Sequence, residues 1–318
     1  MAFGQNDALL TLGALTLTPF GLTMALGAAL AVLMTVLLSG SHLPRSRALN
    51  AALCAIPGAL IGGHLVYCLT MIGSILTDYS AGLSILYLFN MGGYTLYGAV
   101  LGALAALLIY ARVSGQKLAP LADIVAPGAA LALCLGRAAE YFIGQGIGEY
   151  VEDEALQHFP LLICTYADEY WSEWHLPVFV YEALTALIIL GVVLAVYRRA
   201  RTSGRAAEVF VGLLGVTQVF LESLRRDEFI RFGFVRFTQL AAAVTLAAVL
   251  FLSVRRVVLS RGWDGWQKGR IALFVVCVGI VIAIEFALDK SPIDNLLLYS
   301  VMVVNQIAMG FAVLREGK

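Results

Sequence analysis

TPFGLTMALGAALAVLMTVLLS, residues 18 to 39, runs for 22 positions without a charged side chain and without a polar face. A hydrocarbon core of roughly 30 Å is crossed by about 20 helical residues rising 1.5 Å each, so the stretch is long enough to span it. The same texture recurs near 51–75, 91–111, 121–137, 177–197, 207–224, 236–254, 271–288 and 294–314. Lipid cannot satisfy free backbone N–H and C=O groups, and the strand-length alternation of an outer-membrane barrel is absent, so the spans read as helices. The chain is 60% hydrophobic and 13% charged, against roughly 45–50% apolar residues in a soluble domain. The expected fold class is an all-α polytopic integral membrane protein of about nine transmembrane helices.

Punctuation within the spans is uneven. Pro57 and two glycines are expected to break the second, and Pro127, Gly128 and Gly136 fall in the fourth. Such residues are tolerated where neighbouring helices cover the freed backbone groups. The first apolar run follows MAFGQND, which lacks the basic start of a signal peptide, so it reads as a retained helix.

Basic residues orient the path, because positive charge accumulates on the cytoplasmic side. With the N-terminus outside, the loops 40–50, 112–120, 198–206 and 255–270 and the C-terminal tail are cytoplasmic, and they hold fifteen of the twenty-one Lys and Arg residues. The others are Arg137, Arg225, Arg226, Arg231, Arg236 and Lys290. The expected topology has the N-terminus outside and the C-terminus cytoplasmic. Formal net charge is zero, and no nucleic-acid partner is expected. The cysteines Cys54, Cys68, Cys134, Cys164 and Cys277 are scattered and read as small core residues. No CxxC pair or His-rich cluster points to a metal, and no cofactor is expected.

The longest external segment, about 138–176, is an acidic arm with Glu140, Glu149, Glu152, Asp153, Glu154, Asp168, Glu169 and Glu173, interleaved with His158, His175, Trp171 and Trp174. It reads as a solvated loop whose aromatic rings rest in the interface, or as a periplasmic arm that screens or receives a substrate.

An ionisable side chain inside a span costs roughly 2.5–3.5 kcal/mol on insertion scales, so each is a functional candidate. Arg137 and Glu140 are three apart, on one helix face, and can pair within the helix. Glu222 and Arg225 repeat that spacing at the outer end of the sixth span, followed by Arg226, Arg231 and Arg236. Two charge pairs at one depth with surplus arginine suit an anionic headgroup, because the planar guanidinium fork binds phosphate oxygens bidentately. Glu182 lies inside an apolar helix with no basic neighbour in sequence, so it needs a partner from another helix or is protonated. Glu285 has the same status. His64 reads as an interior histidine or a base, and Gln218 and Gln239 as donors into the outer pocket.

Several stretches, in order, resemble the prolipoprotein diacylglyceryl transferases. They are FGLTMALG at 20–27, GGHLVYCL at 62–69, MGGYTLYGAVLG at 91–102, ADIVAPGAALALCLGRAAEYFIGQGIG at 122–148, HLPVFVYEA at 175–183 and GLLGVTQVFLESLRRDEFIRFGFVRFTQL at 212–240. The resemblance implies a bacterial inner-membrane enzyme that moves the diacylglyceryl group of phosphatidylglycerol onto the lipobox cysteine of a prolipoprotein. It implies a seven-helix membrane domain over residues 1–255 and makes 256–318 an additional C-terminal helical hairpin.

Carried over residue by residue, Arg137 matches the arginine of a Gly-Arg-x-Gly-Asn-Phe signature, Asp123 its preceding Asp, and Glu182 the glutamate of Pro-x-x-x-Tyr-Glu. Glu222 and Arg225 match Glu-x-x-Arg, and Gln239 a glutamine near the start of the last family helix. Tyr97 stands where the family has His, Glu140 where it has Asn, and Gln145 where it has Glu. Gln218 and His64 each replace an arginine, and Phe20 a tyrosine. The resemblance then implies phosphate binding by Arg137 and Arg225, with Glu222, Gln145, Gln218 and Gln239 around them. The base is Glu140, Glu182 or His64, with Tyr97 orienting or donating. The substrates implied are phosphatidylglycerol or another anionic phospholipid and a prolipoprotein thiol. The alternative is a catalytically silent phospholipid-binding or accessory protein on the same fold.

Overall fold

The computed structural model describes residues 3–13, 15–40, 43–78, 93–167, 171–200, 202–226, 231–232 and 235–315. Met91 and Gly92 of the third-span motif and Asp168 and Glu169 of the acidic arm lie outside the described residues. Its helices are α1 (Pro19–Leu38), α2 (Arg45–Asp78), α3 (Leu96–Val113), α4 (Leu118–Ile143), α5 (Val178–Arg199), α6 (Arg205–Leu224), α7 (Phe237–Arg261), α8 (Gly265–Lys290) and α9 (Asn295–Leu314). Among the described residues these nine helices are long and apolar enough to cross a membrane. The protein is a multi-pass membrane protein. The described residues also include three short antiparallel ribbons: β1 (Leu10–Leu12) with β2 (Leu15–Leu17), β3 (Ile163–Ala167) with β4 (Ser172–His175), and β5 (Arg231–Phe232) with β6 (Val235–Arg236).

Helix boundaries differ from the expected spans for local reasons. Thr95 caps α3, its Oγ1 accepting from Gly98 N at 3.2 Å while its own amide donates to Gly63 O at 3.0 Å, so the helix starts at Leu96 rather than 91. The fourth span continues to Ile143, where Gly144 takes a left-handed φ of 66° and its amide returns to Glu140 O. Glu140 therefore belongs to the helix, and the acidic arm begins at Gly144. The break expected at Pro57 is not there: α2 is continuous through it, as α4 is through Pro127. A proline removes one ladder hydrogen bond, and in an apolar surrounding no water competes for the bonds that remain. The division expected between 255 and 256 falls inside α7, and the chain leaves the helix at Gly262.

The two ends of the bundle are held by different groups. At the basic end Tyr197 Oη donates to Leu38 O at 3.1 Å, and Asp123 accepts from Gly204 N at 2.5 Å and Ala207 N at 3.0 Å, capping the start of α6. At the other end Gly4 N donates to Tyr141 O at 3.0 Å, Gly148 N to Leu176 O at 2.7 Å, Phe179 N to Gly146 O at 2.8 Å and Arg226 N to Ile147 O at 2.9 Å. These loop bonds tie the N-terminal segment, the end of α4, the start of α5 and the end of α6 into one cap.

Polarity runs inside out relative to a soluble protein. Leu37, Ile61, Ile109, Ile188 and Val304 are exposed, whereas Glu182, Gln218, Glu222, Arg225, Arg236 and Gln239 are buried. With lipid as solvent, outward-facing apolar side chains cost nothing, and ionisable groups turn towards the bundle interior. The most buried helix is α6, packed against α4, α5, α7 and α9.

Packing of α2 against α3 rests on four small residues. A Cβ added at Gly102 would stand 2.1 Å from Gly58 O, and one at Gly62 would stand 2.5 Å from Gly98 O. Gly58 and Gly62, and Gly98 and Gly102, are each four apart, the pattern that lets two membrane helices approach backbone to backbone. Gly102→Val is expected to force the pair apart and cost about 1–3 kcal/mol. Thermal unfolding in detergent measures this, and an unchanged midpoint would show that the contact adds nothing.

The hairpin of α8 and α9 seals on α6 and α7 through Val216, Leu246, Cys277, Met309 and Val313 in one cluster, and through Ile284, Leu298 and Met302 against Phe220 in another.

Candidate active site

Four charged side chains close into a ring at the capped end. Arg137, in the last two turns of α4, places Nη1 2.5 Å from Glu140 Oε1 and Nη2 3.4 Å from Glu182 Oε1. Arg225 places Nη2 2.9 Å from Glu140 Oε2 and Nη1 2.6 Å from Glu182 Oε2. Each arginine thus bridges both carboxylates, and each carboxylate offers one oxygen to each arginine. Alternating charge around a closed ring holds all four in one geometry, and shared hydrogen bonds offset the desolvation that isolated buried charges would suffer.

Local structure explains why these residues meet. Glu140 is one turn beyond Arg137 on α4. Glu182, in the first two turns of α5 behind Pro177, faces α4 and is buried. Arg225 is the residue at which α6 ends; its backbone is extended, with φ −68° and ψ 143°, which carries its side chain off the helix face that bears Glu222. The expected Glu222–Arg225 pair is consequently not formed: Arg225 reaches across to α4 and α5. Glu222 is buried, with no basic group within 4 Å among the described residues, and lies within electrostatic reach of Tyr97, Arg137 and Glu182. Gly146 makes room for the ring, since a Cβ there would stand 2.5 Å from Glu140 Oε2.

The other residues expected in the site lie at varied distances from the ring. Gln218 accepts from Arg137 Nη2 at 3.3 Å. Tyr97 is buried against Val219 and Ala242, within electrostatic reach of Glu222, Arg137 and Glu182. His64 lies against the start of α3, its Nδ1 3.1 Å from Gly93 O and its ring 5.6 Å from that of Tyr94. Gln145 follows α4 and is exposed. Gln239 caps α7: its Oε1 accepts from Arg236 N at 3.0 Å, and its Nε2 donates to Glu285 Oε1 at 2.7 Å. Asp123 is at the opposite end of α4, about 21 Å from Arg137 at 1.5 Å per residue.

Three atoms of the site are buried without a hydrogen-bond partner among the described residues: Arg137 Nε, Tyr97 Oη and Glu182 Oε1. Buried polar atoms are nearly always satisfied, so the idle Arg137 Nε and Tyr97 Oη, with Glu182 Oε1 held only by its 3.4 Å charge contact to Arg137, mark a place for a polar ligand. Arg236, expected only as one of the surplus arginines, donates from Nη2 to the backbone oxygen of Arg225 and so holds the end of α6. Its place in an arginine-rich run was the available signal. Gly146 had no signal beyond the Gly-Gln-Gly turn.

Beside the ring, Phe3, Tyr141 and Phe179 pack together with ring centroids 5.8 to 6.1 Å apart. Phe3 and Tyr141 also line a cavity of about 530 Å³ with Phe159, Leu162, Ile163, Cys164, Thr165, Tyr166 and Trp174. The β3–β4 arm supplies much of its wall. Thr165 Oγ1 lies 2.9 Å from His175 Nδ1 across that ribbon, and burial pushes the His175 imidazole below its usual pKa.

A family model described as prolipoprotein diacylglyceryl transferase matches residues 7–255. The chain is similar to the phosphatidylglycerol–prolipoprotein diacylglyceryl transferase of Clostridium kluyveri, 27% identical over 224 residues, covering 70% of this chain and 80% of that protein. It is also similar to the enzyme of that name from Clostridium botulinum (strain Langeland), 24% identical over 251 residues, covering 78% of this chain and 95% of that protein. With α1 to α6, most of α7 and the whole charged ring inside the matched region, the chain belongs to the prolipoprotein diacylglyceryl transferase family.

Proposed function

We propose that the protein transfers the diacylglyceryl group of phosphatidylglycerol, or of another anionic phospholipid, to a cysteine thiol in the lipobox of a prolipoprotein, with room for a divergent acceptor. It does so at the outer face of the bacterial cytoplasmic membrane, with the arm and the ring outside and the basic loops inside. The observation that carries this reading is the ring of Arg137, Glu140, Arg225 and Glu182 with the idle Arg137 Nε and Tyr97 Oη beside it.

The chemistry is a displacement at a glyceryl carbon. The cysteine sulfur forms a bond to that carbon, the carbon–oxygen bond to phosphate breaks, and glycerol phosphate leaves with the bonding pair. Donors aimed at the departing phosphate stabilise the charge that develops there. Arg137 and Arg225 supply them, Arg137 with Nε still uncommitted. Phosphate oxygens and carboxylate oxygens compete for the same guanidinium N–H groups. A carboxylate released from an arginine as phosphate docks is the group placed to take the thiol proton, and Glu140 and Glu182 both meet that condition. His64, engaged with Gly93 O, is less favourably placed as a base.

The second reading, a phospholipid-binding protein without turnover, has its own support: Tyr97 replaces the expected histidine, and the Arg225 guanidinium is engaged by the carboxylates of Glu140 and Glu182. One assay separates the two. Purified protein incubated with phosphatidylglycerol vesicles and a lipobox peptide is expected to release glycerol phosphate and a thioether-linked peptide; vesicle binding without release would establish the second reading instead.

Tyr97→Phe sharpens the assignment of the tyrosine. Removing a buried hydroxyl that has no partner is expected to leave stability unchanged or raise it by about 1 kcal/mol. If the hydroxyl orients substrate, glycerol phosphate release falls in the same variant; loss of stability with unchanged release would make Tyr97 a packing residue.

A further inference from the structure

The α8–α9 hairpin lies outside the region matched by the family, yet it carries a buried carboxylate, Glu285, to the end of the bundle where the ring sits. Docking of the hairpin does not need that carboxylate. At the basic end Arg270 donates from Nε to Ala312 O at 3.1 Å and from Nη2 to Ser253 Oγ at 3.0 Å, and Arg205 Nη2 donates to Val313 O at 2.7 Å and Leu314 O at 2.8 Å. Midway along the hairpin Asn305 Nδ2 donates to Cys277 O at 3.2 Å. Two apolar clusters add to these. A carboxylate placed in a membrane helix costs roughly 2.5–3.5 kcal/mol, so its presence asks for another reason.

Its contacts lead to the ring. Glu285 Oε1 accepts from Gln239 Nε2 at 2.7 Å, and Gln239 Oε1 accepts from the Arg236 amide at 3.0 Å. Arg236 Nη2 in turn donates to the backbone oxygen of Arg225, whose guanidinium bridges Glu140 and Glu182. Tyr299 of α9 adds a second link, interacting with the side chain of Arg226, the next residue in the chain.

We propose that Glu285 is a positioning residue: through Gln239 and Arg236 it fixes the end of α6, and with it the Arg225 guanidinium, so that the added hairpin sets the geometry of the charged ring. Orienting the Gln239 amide is the step on which this depends. An amide whose Nε2 is held by a carboxylate must present Oε1 to the Arg236 N–H; without that acceptor Nε2 keeps only its longer bond to Val219 O, at 3.4 Å, and the cap on α7 is weakened. The kinetic part of the inference rests on the proposed transferase reaction.

The test uses full-length protein in detergent with Glu285→Leu, Glu285→Gln and, as a control, Asn305→Leu, which breaks a buried hairpin hydrogen bond off this chain. Amide hydrogen exchange at Arg236 is expected to quicken about 10-fold or more in Glu285→Leu and to stay near wild type in Glu285→Gln, which keeps an acceptor, and in Asn305→Leu. Turnover in glycerol phosphate release is expected to fall about 10- to 100-fold in Glu285→Leu alone, in kcat rather than in KM for the lipid, because a misplaced arginine still binds phosphate but no longer meets the transition state. Unchanged exchange at Arg236 in Glu285→Leu overturns the proposal, as does an equal loss of kcat in Asn305→Leu. Should wild-type protein release no glycerol phosphate, the transferase reading fails, and the exchange measurement alone decides whether Glu285 holds the chain of hydrogen bonds.

Discussion

Arg225→Met lowers the unfolding free energy of the purified protein by about 3–5 kcal/mol, the usual cost of removing one partner from a buried ion pair. Arg225 supplies half of the positive charge in the ring, and its loss leaves Glu140 and Glu182 to share Arg137 in a site where Glu182 is fully buried and the other ring side chains are 10–13% exposed. The backbone contact from Arg236 to Arg225 survives, so the loss reports on the guanidinium rather than on the helix end. A second substitution separates the charge effect from the lost packing. Glu182→Leu made together with Arg225→Met removes the stranded carboxylate and is expected to recover part of the loss, because buried ion pairs replaced by apolar groups are often nearly neutral. Denaturant or thermal unfolding in detergent reads both variants. A loss under about 1 kcal/mol for Arg225→Met would place the ring with exposed surface pairs and contradict its burial.

Arg137→Ala reduces glycerol phosphate release by about 10²–10³-fold, as removal of one preorganised donor to a developing anion does elsewhere. The expected loss falls mainly in kcat, since Arg225 remains to attract the lipid headgroup. Arg137→Lys keeps the charge but is expected to rescue little: an ammonium group cannot hold Glu140, Glu182 and a phosphate oxygen together in one plane. Near-full activity in Arg137→Lys would mean that the residue acts as a point charge, and the role assigned to its idle Nε would fall. Unfolding midpoints of the two variants, taken alongside, separate a misfolded ring from a folded one that has lost its grip on phosphate.

Much of this site was legible before the chain was folded, for an energetic reason. Ionisable residues are so costly in lipid that the few present stand out, and Arg137, Glu140, Glu182, Glu222, Arg225 and Glu285 were all distinguished in that way. Their pairing was less legible. Spacing of three suggested Arg137 with Glu140 and Glu222 with Arg225; the first pair forms, and the second does not, because α6 stops at Leu224 and the extended backbone at Arg225 redirects its side chain. Glu182 showed only a need for a partner. Two arginines meet it, from α4 and α6, and neither is near it in sequence. Gln145 and Gln239 were both expected around phosphate. The structure leaves Gln145 exposed after α4 and makes Gln239 the cap of α7, and an amide side chain carries no signal that separates those fates.

Apolar length and uncharged composition settled the class of fold, since a chain of this kind has helices as its means of satisfying backbone groups in lipid. Proline positions misled at Pro57 because helix-breaking statistics describe water, where a freed carbonyl finds another partner. Which carboxylate each arginine holds, and that the hairpin outside the family match touches the end of α6, came from the packing of α4, α5, α6 and α7. Those contacts join residues up to 85 positions apart; sequence patterns report neighbours three or four residues away on one helix face, whereas a closed ring of charges depends on where several helix ends meet.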